Sequence, residues 1–276
     1  MVAATEGDRC DERRGPHGKV RRQGRDGDGG RLGHRRGLAR QLAAEGARAV
    51  VLADVNGDGA AAVAEEPPAA RALALDVTDA AGVDGAVQDV LHRYGRLDIL
   101  VHAAGVDDPE AKQRIADAAV EGRPVELTDS LDDASWRRVL RVNLDGTFHV
   151  LRATVRVMRP RGAGAIVVIG SSSAFDAPVG YPHYAASKAG VHALAQAVAK
   201  EVIASGIRVN LVAPGPTDTG MAARTPEALR SAFADPRVRP YATPEEISEI
   251  ALFLASDAAA NLVGAVLLAN GGRFTA

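Results

Sequence analysis

The sequence predicts an α/β fold in a single domain, a Rossmann-like doubly wound parallel sheet with helices on both faces. Three observations predict it. From Leu38 onward, short apolar runs of strand length alternate with longer amphipathic stretches of helix length. A chain of 276 residues can bury the core of one such domain. Chemistry-bearing side chains follow the apolar runs, and ligands in open parallel sheets bind beyond the carboxyl ends of the strands.

The elements follow in order. Residues 38–45 read as a helix that stops at Gly46, a C-cap signal. Ala49-Val50-Val51-Leu52 is a fully buried strand, and Ala72-Leu73-Ala74-Leu75 is the next, closed by Asp76. Thr78 caps a helix that reaches Tyr94 and ends at Gly95, and residues 97–101 form a strand. Residues 131–158 hold a long helix with Trp136, Leu140, Leu144, Phe148 and Leu151 at its apolar positions. Residues 166–169, 209–212 and 263–268 are further strands, with helices over 184–204 and 244–255 between them.

Composition excludes several function classes. A net charge of -2 gives no reason to expect nucleic acid or an anionic membrane as a partner. The arginine run from Arg21-Arg22 to Arg35-Arg36 lacks the interleaved aromatics of a nucleic-acid surface. Cys10 is the lone cysteine and cannot form an intrachain disulfide, which fits a reducing compartment. The first twenty residues contain no apolar run, and no stretch approaches the ~20 apolar residues of a membrane span. The expected location is the cytoplasm. The seven histidines show no metal-ligand spacing, so no metal is expected.

The chemistry concentrates at Tyr184-Ala185-Ala186-Ser187-Lys188, with Ser171 thirteen residues before the tyrosine. A free phenol, with a pKa of ~10, is a poor base at neutral pH. An ammonium one helical turn away lowers that pKa by stabilising the phenolate. A serine hydroxyl from a neighbouring strand end can hold a substrate oxygen against the phenol and stabilise charge developing on it. Together the three can move a proton on or off an alcohol or carbonyl oxygen.

At these residues the chain resembles the short-chain dehydrogenase/reductase family. Leu97-Asp98-Ile99-Leu100-Val101-His102-Ala103-Ala104-Gly105 is similar to the strand and turn the family usually writes as Asn-Asn-Ala-Gly. Val142-Asn143-Leu144-Asp145-Gly146-Thr147-Phe148 resembles the helix of its catalytic asparagine, and Ile166-Val167-Val168-Ile169-Gly170-Ser171 its serine strand. Arg208-Val209-Asn210-Leu211-Val212-Ala213-Pro214-Gly215-Pro216 resembles the strand and turn beside the nicotinamide, and Asn270-Gly271-Gly272 the usual Asp-Gly-Gly. The resemblance runs from about Gly37 to the end.

It implies an oxidoreductase that interconverts a secondary alcohol and a ketone, with Asn143, Ser171, Tyr184 and Lys188 as catalytic residues. Asn143 would bend its helix and hold a water linking Lys188 to solvent. Lys188 would also bind the nicotinamide ribose. Asp54 follows the second strand, where a carboxylate accepts both hydroxyls of an adenosine ribose and repels a 2′-phosphate, so NAD is favoured over NADP. Asp76 and Val77 resemble the pair that contacts adenine. The Ala103-Ala104-Gly105 backbone would pass close to the cofactor, and Pro214, Gly215, Thr217 and Thr219 would close on the nicotinamide carboxamide and diphosphate. Phe175, Val179, Tyr181, Met221 and Phe233 would line a mainly apolar pocket for a hydrophobic or cyclic skeleton, under a mobile substrate lid over 217–239. His183 reads as a polar residue on the pocket rim. A 3-oxoacyl thioester reductase is the second reading within the enzyme class. The family usually associates through the asparagine and tyrosine helices, implying a homodimer or homotetramer.

Two stretches depart from the pattern. Residues 1–17 read as a disordered extension before a domain over 18–276. Within it, Gly18-Lys19-Val20 begins the expected first strand, but residues 21–36 are dominated by arginine and glycine, and their glycines fit neither Gly-x-x-x-Gly-x-Gly nor Gly-x-Gly-x-x-Gly. That composition is what GC-rich codons give out of frame. Such a segment belongs outside a sheet, and a chain without its phosphate turn would be an inert relative that binds no cofactor. The other departure is the long connection over 106–126, whose short helix reads as a solvated surface excursion, with a wall of the substrate pocket as the alternative.

Overall fold

The computed structural model describes residues 1–6, 33–65, 69–232, 238–239 and 241–276. Seven strands form one sheet in the order β3-β2-β1-β4-β5-β6-β7. The strands are β1 (Val2–Glu6), β2 (Ala47–Asp54), β3 (Ala70–Ala74), β4 (Ile99–His102), β5 (Gly164–Ile169), β6 (Ile207–Pro214) and β7 (Val266–Ala269). Helices α1 (Gly33–Ala44) and α10 (Pro244–Ala255) cover one face, and α3 (Ala80–Tyr94), α6 (Gly146–Met158) and α7 (Pro182–Val202) cover the other. Side chains alternate between the two faces: Ile166 and Val168 join the α3, α6 and α7 side, while Val167 joins the α1 and α10 side. No described helix is long and apolar enough to cross a membrane.

The sheet is parallel except at its centre. Residues Val2–Glu6, expected in an extension outside the domain, form the central strand and run antiparallel to both β2 and β4. Val2 pairs with Leu52 and Val101, and Ala4 with Val50 and Ile99. Val2 and Ala4 pack on the α1 and α10 side and Ala3 on the other, all of them buried. The physical reason is an unfilled slot between two apolar strands, whose backbone N–H and C=O groups need partners. Val-Ala-Ala-Thr is small, apolar and uncharged enough to fill it. The arginine-rich stretch expected to stay out of the sheet lies outside the described residues as far as residue 32, and Gly33 already begins α1.

Three boundaries differ from expectation. Asp79, and not Thr78, caps α3, its carboxylate accepting from the Ala81 N–H. Helix α2 (Gly57–Ala64), capped by Asn56, follows β2 where the glycine-alanine composition gives little periodic signal. The long helix over 131–158 starts at α5 (Asp133–Leu140) and is interrupted by a five-residue π turn, Arg141–Asp145, before α6. At the far end of the sheet, Arg208 donates to the carbonyls of Leu254, Ala255, Ser256 and Ala259 at 2.8–3.1 Å. A guanidinium there satisfies the orphan acceptors of α10 and matches its dipole.

Candidate active site

Strand β5 ends at Ile169, and the chain turns through Gly170 and Ser171 into a 3-10 turn, Ser172–Ala174. Helix α7 starts at Pro182, so Tyr184 lies in its first turn and Lys188 one turn later. Ser171 and Tyr184 line the same cleft wall, close enough for the Ser171 hydroxyl to favour the Tyr184 phenolate. Lys188 Nζ donates to Ile169 O at 3.2 Å and lies 5.9 Å from the Tyr184 ring centre. Burial pushes the Lys188 ammonium down to about 8. Tyr184 departs from expectation: burial raises its pKa above the ordinary phenol value, the Ser171 hydroxyl opposes that, and Asp107 adds to it. Desolvation of the buried phenol is the largest influence on it.

Ser171 is fixed from behind. Its backbone N–H donates to His192 Nε2 at 3.3 Å, and its Oγ accepts from Ser173 N at 3.1 Å. Burial, with Lys188 adding to it, pushes His192 down to about 4, so the imidazole is neutral and can accept. The ring occupies space that Gly170 leaves open, since a Cβ there would lie 2.2 Å from Nε2.

Asn143 is buried in the π turn. Its amide spans the Val106 backbone, accepting from N at 2.8 Å and donating to O at 3.0 Å, and Nδ2 also lies 3.0 Å from Ser187 Oγ. Behind it, Thr147 Oγ1 donates to Asn143 O at 2.5 Å and meets His102 Nε2 at 3.1 Å. Asn143 thus ties the turn after β4 to the π-helical bend and to α7. Gly105 in that turn runs so close that a Cβ would lie 3.3 Å from Asn143 Oδ1 and 3.4 Å from Lys188 Nζ.

Two clefts open at the carboxyl edge and both touch Gly105. One, of about 960 Å³, is lined by Asp54, Asp76, Val77 and Ala104. Asp54 ends β2 and accepts from Asn56 N at 2.7 Å. The Thr78 N–H, and after it the Thr78 hydroxyl, holds the Asp76 carboxyl below its usual range. The other cleft, of about 850 Å³, is lined by Ala103, Ser171, Tyr184, Lys188, Pro214, Gly215, Thr217 and Thr219. Thr217 Oγ1 donates to Gly215 O at 3.0 Å, and Thr219 caps the short helix α8 (Gly220–Ala223). A sugar on the Asp54 side and a ring on the Tyr184 side would be joined across Gly105, so the residues present fit a dinucleotide at both of its ends.

The lid expectation falls partly on described residues: α8 and α9 (Glu227–Ala232) bring Met221, Arg224 and Leu229 to the cleft, while Phe233 lies outside the described residues. Val179, Tyr181 and Met221 line the cleft as expected, but Phe175 is 45 % exposed and packs edge-on against His192. His183 is not on the rim. It is fully buried, with Nε2 3.0 Å from Asp108 Oδ2 and its ring stacked on Tyr181, so the cap of α4 and the residue before α7 enclose it.

The largest revision concerns residues 106–126. They are no solvated excursion. Helix α4 (Pro109–Glu121), capped by Asp108, buries Ala111, Lys112, Ile115, Ala116 and Ala118, and Asp107, Lys112, Ile115 and Val125 line the cleft. The Asp108-Pro109 cap was a readable signal, but the packing face is made of alanines that a search for large apolar residues overlooks.

A family model described as enoyl-(acyl carrier protein) reductase matches residues 35–273. The chain is 38% identical over 239 residues to cis-4-hydroxycyclohexanecarboxylate dehydrogenase of Sinomonas cyclohexanicum, covering 85% of this chain and 89% of the relative. It is 37% identical over 242 residues to galactitol 2-dehydrogenase (L-tagatose-forming) of Cereibacter sphaeroides, covering 85% and 88%. It is 31% identical over 241 residues to a 3-oxoacyl-[acyl-carrier-protein] reductase of Escherichia coli, covering 87% and 92%.

Proposed function

The chain belongs to the short-chain dehydrogenase/reductase family of oxidoreductases, and from that premise we propose that it is an NAD(H)-dependent enzyme interconverting a secondary alcohol and a ketone. One observation carries the reading: Ser171, Tyr184 and Lys188 meet in the wall of one cleft, with Lys188 one helical turn behind the phenol. A carbinol oxygen placed between the two hydroxyls gives its proton to Tyr184 as the carbonyl forms, and Ser171 stabilises the charge on that oxygen. Lys188, with its ammonium pKa brought down to about 8, sits where it stabilises the phenolate as it appears. The nicotinamide, when bound, supplies the hydride acceptor.

Asp54, Asp76 and Val77 would hold the adenosine end, and the Asp54 carboxylate is the reason to favour NAD over NADP. Ala103, Ala104 and Gly105 would lie under the middle, and Pro214, Gly215, Thr217 and Thr219 beside the nicotinamide with Tyr184 and Lys188. Asn143 would hold the turn and helix in register with Lys188. Two relatives are named as dehydrogenases, which supports the alcohol–ketone reading. The third keeps a 3-oxoacyl thioester as the second substrate class, and turnover of such thioesters but of no simple alcohol would select it. Association as a homodimer or homotetramer would run through the asparagine and tyrosine helices, and Phe148, exposed on α6, supports it.

The decisive experiment titrates NADH and NADPH against the purified protein by fluorescence, then measures alcohol oxidation. NADH binding tighter than NADPH, with turnover that Tyr184→Phe cuts by several orders of magnitude at nearly unchanged cofactor affinity, is the expected result. Binding of neither cofactor marks the chain as an inert relative, and a Tyr184→Phe variant keeping a tenth of the activity removes Tyr184 from the mechanism.

A further inference from the structure

The end of the catalytic cleft built by α4 sets polar groups, Asp107, Lys112 and the Tyr181 hydroxyl, among the apolar Ile115, Val125 and Leu229, and not all of the polar atoms are paired. Tyr181, just before α7, is 9 % exposed and lines the cleft with its Oη buried and without a hydrogen-bond partner. Its ring stands edge-on to Tyr184, with centres 6.0 Å apart, so it neighbours the reacting phenol. Beside it, Asp107 is 4 % exposed and its Oδ2, 2.5 Å from Lys112 Nζ, makes no well-directed hydrogen bond. Asp107 also pairs with Arg224 of the lid at 3.2 Å, and Lys112 Nζ donates to Met221 O at 2.9 Å. Burial, then Asp107, Tyr184 and Asp108, raise the Tyr181 phenol above its ordinary pKa, so it stays an O–H able to donate and accept.

We infer that Tyr181 and Asp107 form a second polar subsite for a substrate hydroxyl other than the one oxidised, which makes the substrate a diol or polyol. The inference rests on the alcohol–ketone reading above and names its substrate class. Buried polar groups in native proteins are paired, and an unpaired one in a cleft wall marks a partner the ligand brings. A hydroxyl suits the pair because it can accept from Tyr181 Oη and donate to Asp107. A carboxylate can only accept, so it offers the Asp107 carboxylate no donor. A purely apolar substrate would leave the Tyr181 hydroxyl unpaired. The subsite also accounts for α4, which the alcohol chemistry at Ser171 and Tyr184 does not itself require: Asp107 and Lys112 anchor it to the lid segment at Met221 and Arg224.

The test measures kcat/KM with NAD for cyclohexanol, the three positional cyclohexanediols and 4-hydroxycyclohexanecarboxylate, in the wild type and in Tyr181→Phe. At least one diol should exceed cyclohexanol by about tenfold, as for a site that hydrogen-bonds a substrate hydroxyl. Tyr181→Phe should bring that diol-to-cyclohexanol ratio to about one, and its melting temperature should be no lower than the wild type's, since only an unpaired oxygen is removed. A ratio unchanged by the substitution overturns the subsite while leaving the alcohol reading intact, and so does a carboxylate preferred over every diol. If no alcohol turns over, the alcohol reading itself has failed. Saturation-transfer NMR of the diols on the protein then reads the subsite: a signal lost in Tyr181→Phe supports it, and equal signals or none in both proteins overturn it.

Discussion

Replacing Gly170 with alanine should destabilise the protein and slow it through one imidazole. The new Cβ would sit 2.2 Å from His192 Nε2 and 2.7 Å from Cδ2, so the ring must move by more than an ångström. Phe175 packs edge-on against that ring at 5.3 Å, which blocks an easy retreat. Overpacking of this kind costs about 1–3 kcal/mol. Loss of the His192 acceptor leaves the Ser171 N–H unsatisfied, at about 1–3 kcal/mol more. Gly170 has no positive φ, so alanine gains back only about 0.4–1 kcal/mol from the unfolded chain. The net of roughly 1–6 kcal/mol should lower the melting temperature by roughly 2–20 °C at this chain length. Ser171 moves with the ring, so kcat should fall at least about tenfold. Urea denaturation of Gly170→Ala, His192→Ala and the double variant closes a mutant cycle, and the two sites should couple by more than about 1 kcal/mol because His192→Ala vacates the space the methyl needs. A Gly170→Ala protein within about 0.5 kcal/mol of the wild type, or additive changes, would refute the reasoning.

Lys188→Met should stabilise the protein at pH 7 by on the order of 3 kcal/mol, the cost of holding an ammonium whose pKa has fallen from 10.5 to about 8. Between pH 8 and 10.5 the unfolded chain binds the extra proton, so wild-type stability rises with pH through that window and the gap to the variant closes; a gap constant from pH 7 to 10.5 would show that burial does not depress this lysine. Asp54→Ala should erode the preference for NAD over NADP, because one substitution removes both an acceptor for ribose hydroxyls and a repulsive charge. Equal use of the two cofactors by the unmodified enzyme contradicts that role.

What was legible followed from local patterns. Val50-Val51-Leu52, Ile166-Val167-Val168-Ile169 and Val209-Asn210-Leu211-Val212 read as strands because burial on both faces demands continuous apolar runs. Tyr184 and Lys188 read as a pair because helical spacing brings them to one face. Pairings across the chain were not legible. Asp107 meets Arg224, and Ser171 meets His192, through folding alone. Helix α4 misled for a physical reason: Val120 is 74% exposed, while Ala111, Ala116 and Ala118, too small to mark an apolar stripe, pack the interface. The π turn at Asn143 is invisible to a 3.6-residue period, since it adds one residue to an otherwise unbroken apolar pattern.

The reversed central strand separates two roles that one segment of a Rossmann-like sheet normally combines. Val2–Glu6 completes the ladder between β2 and β4 and fills both apolar layers. A phosphate turn must leave a strand at the carboxyl edge of the sheet, where a helix N-terminus and backbone N–H groups meet the diphosphate. Strand β1 instead places Val2 near that edge, opposite Leu52, and leaves the sheet at Glu6, opposite Ala47 at the amino edge. The fold is therefore closed without the turn, and stability and cofactor affinity become separable. The arginine- and glycine-dominated residues 21–36, read as an out-of-frame stretch, supply the test. A compensating pair of single-base changes in the encoding DNA should restore an apolar strand followed by Thr-Gly-x-x-x-Gly-x-Gly or a close variant. That strand would enter the slot parallel to its neighbours and displace Val2–Glu6. Val2→Asp, which buries an unpaired carboxylate in the present chain, should cost it about 3–5 kcal/mol. In the restored protein the same substitution should be nearly silent, and NADH should bind at least about tenfold tighter, the equivalent of about 1.4 kcal/mol. Equal sensitivity to Val2→Asp in both proteins, or no alternative frame that encodes such a strand, would make the reversed strand the native design of this chain.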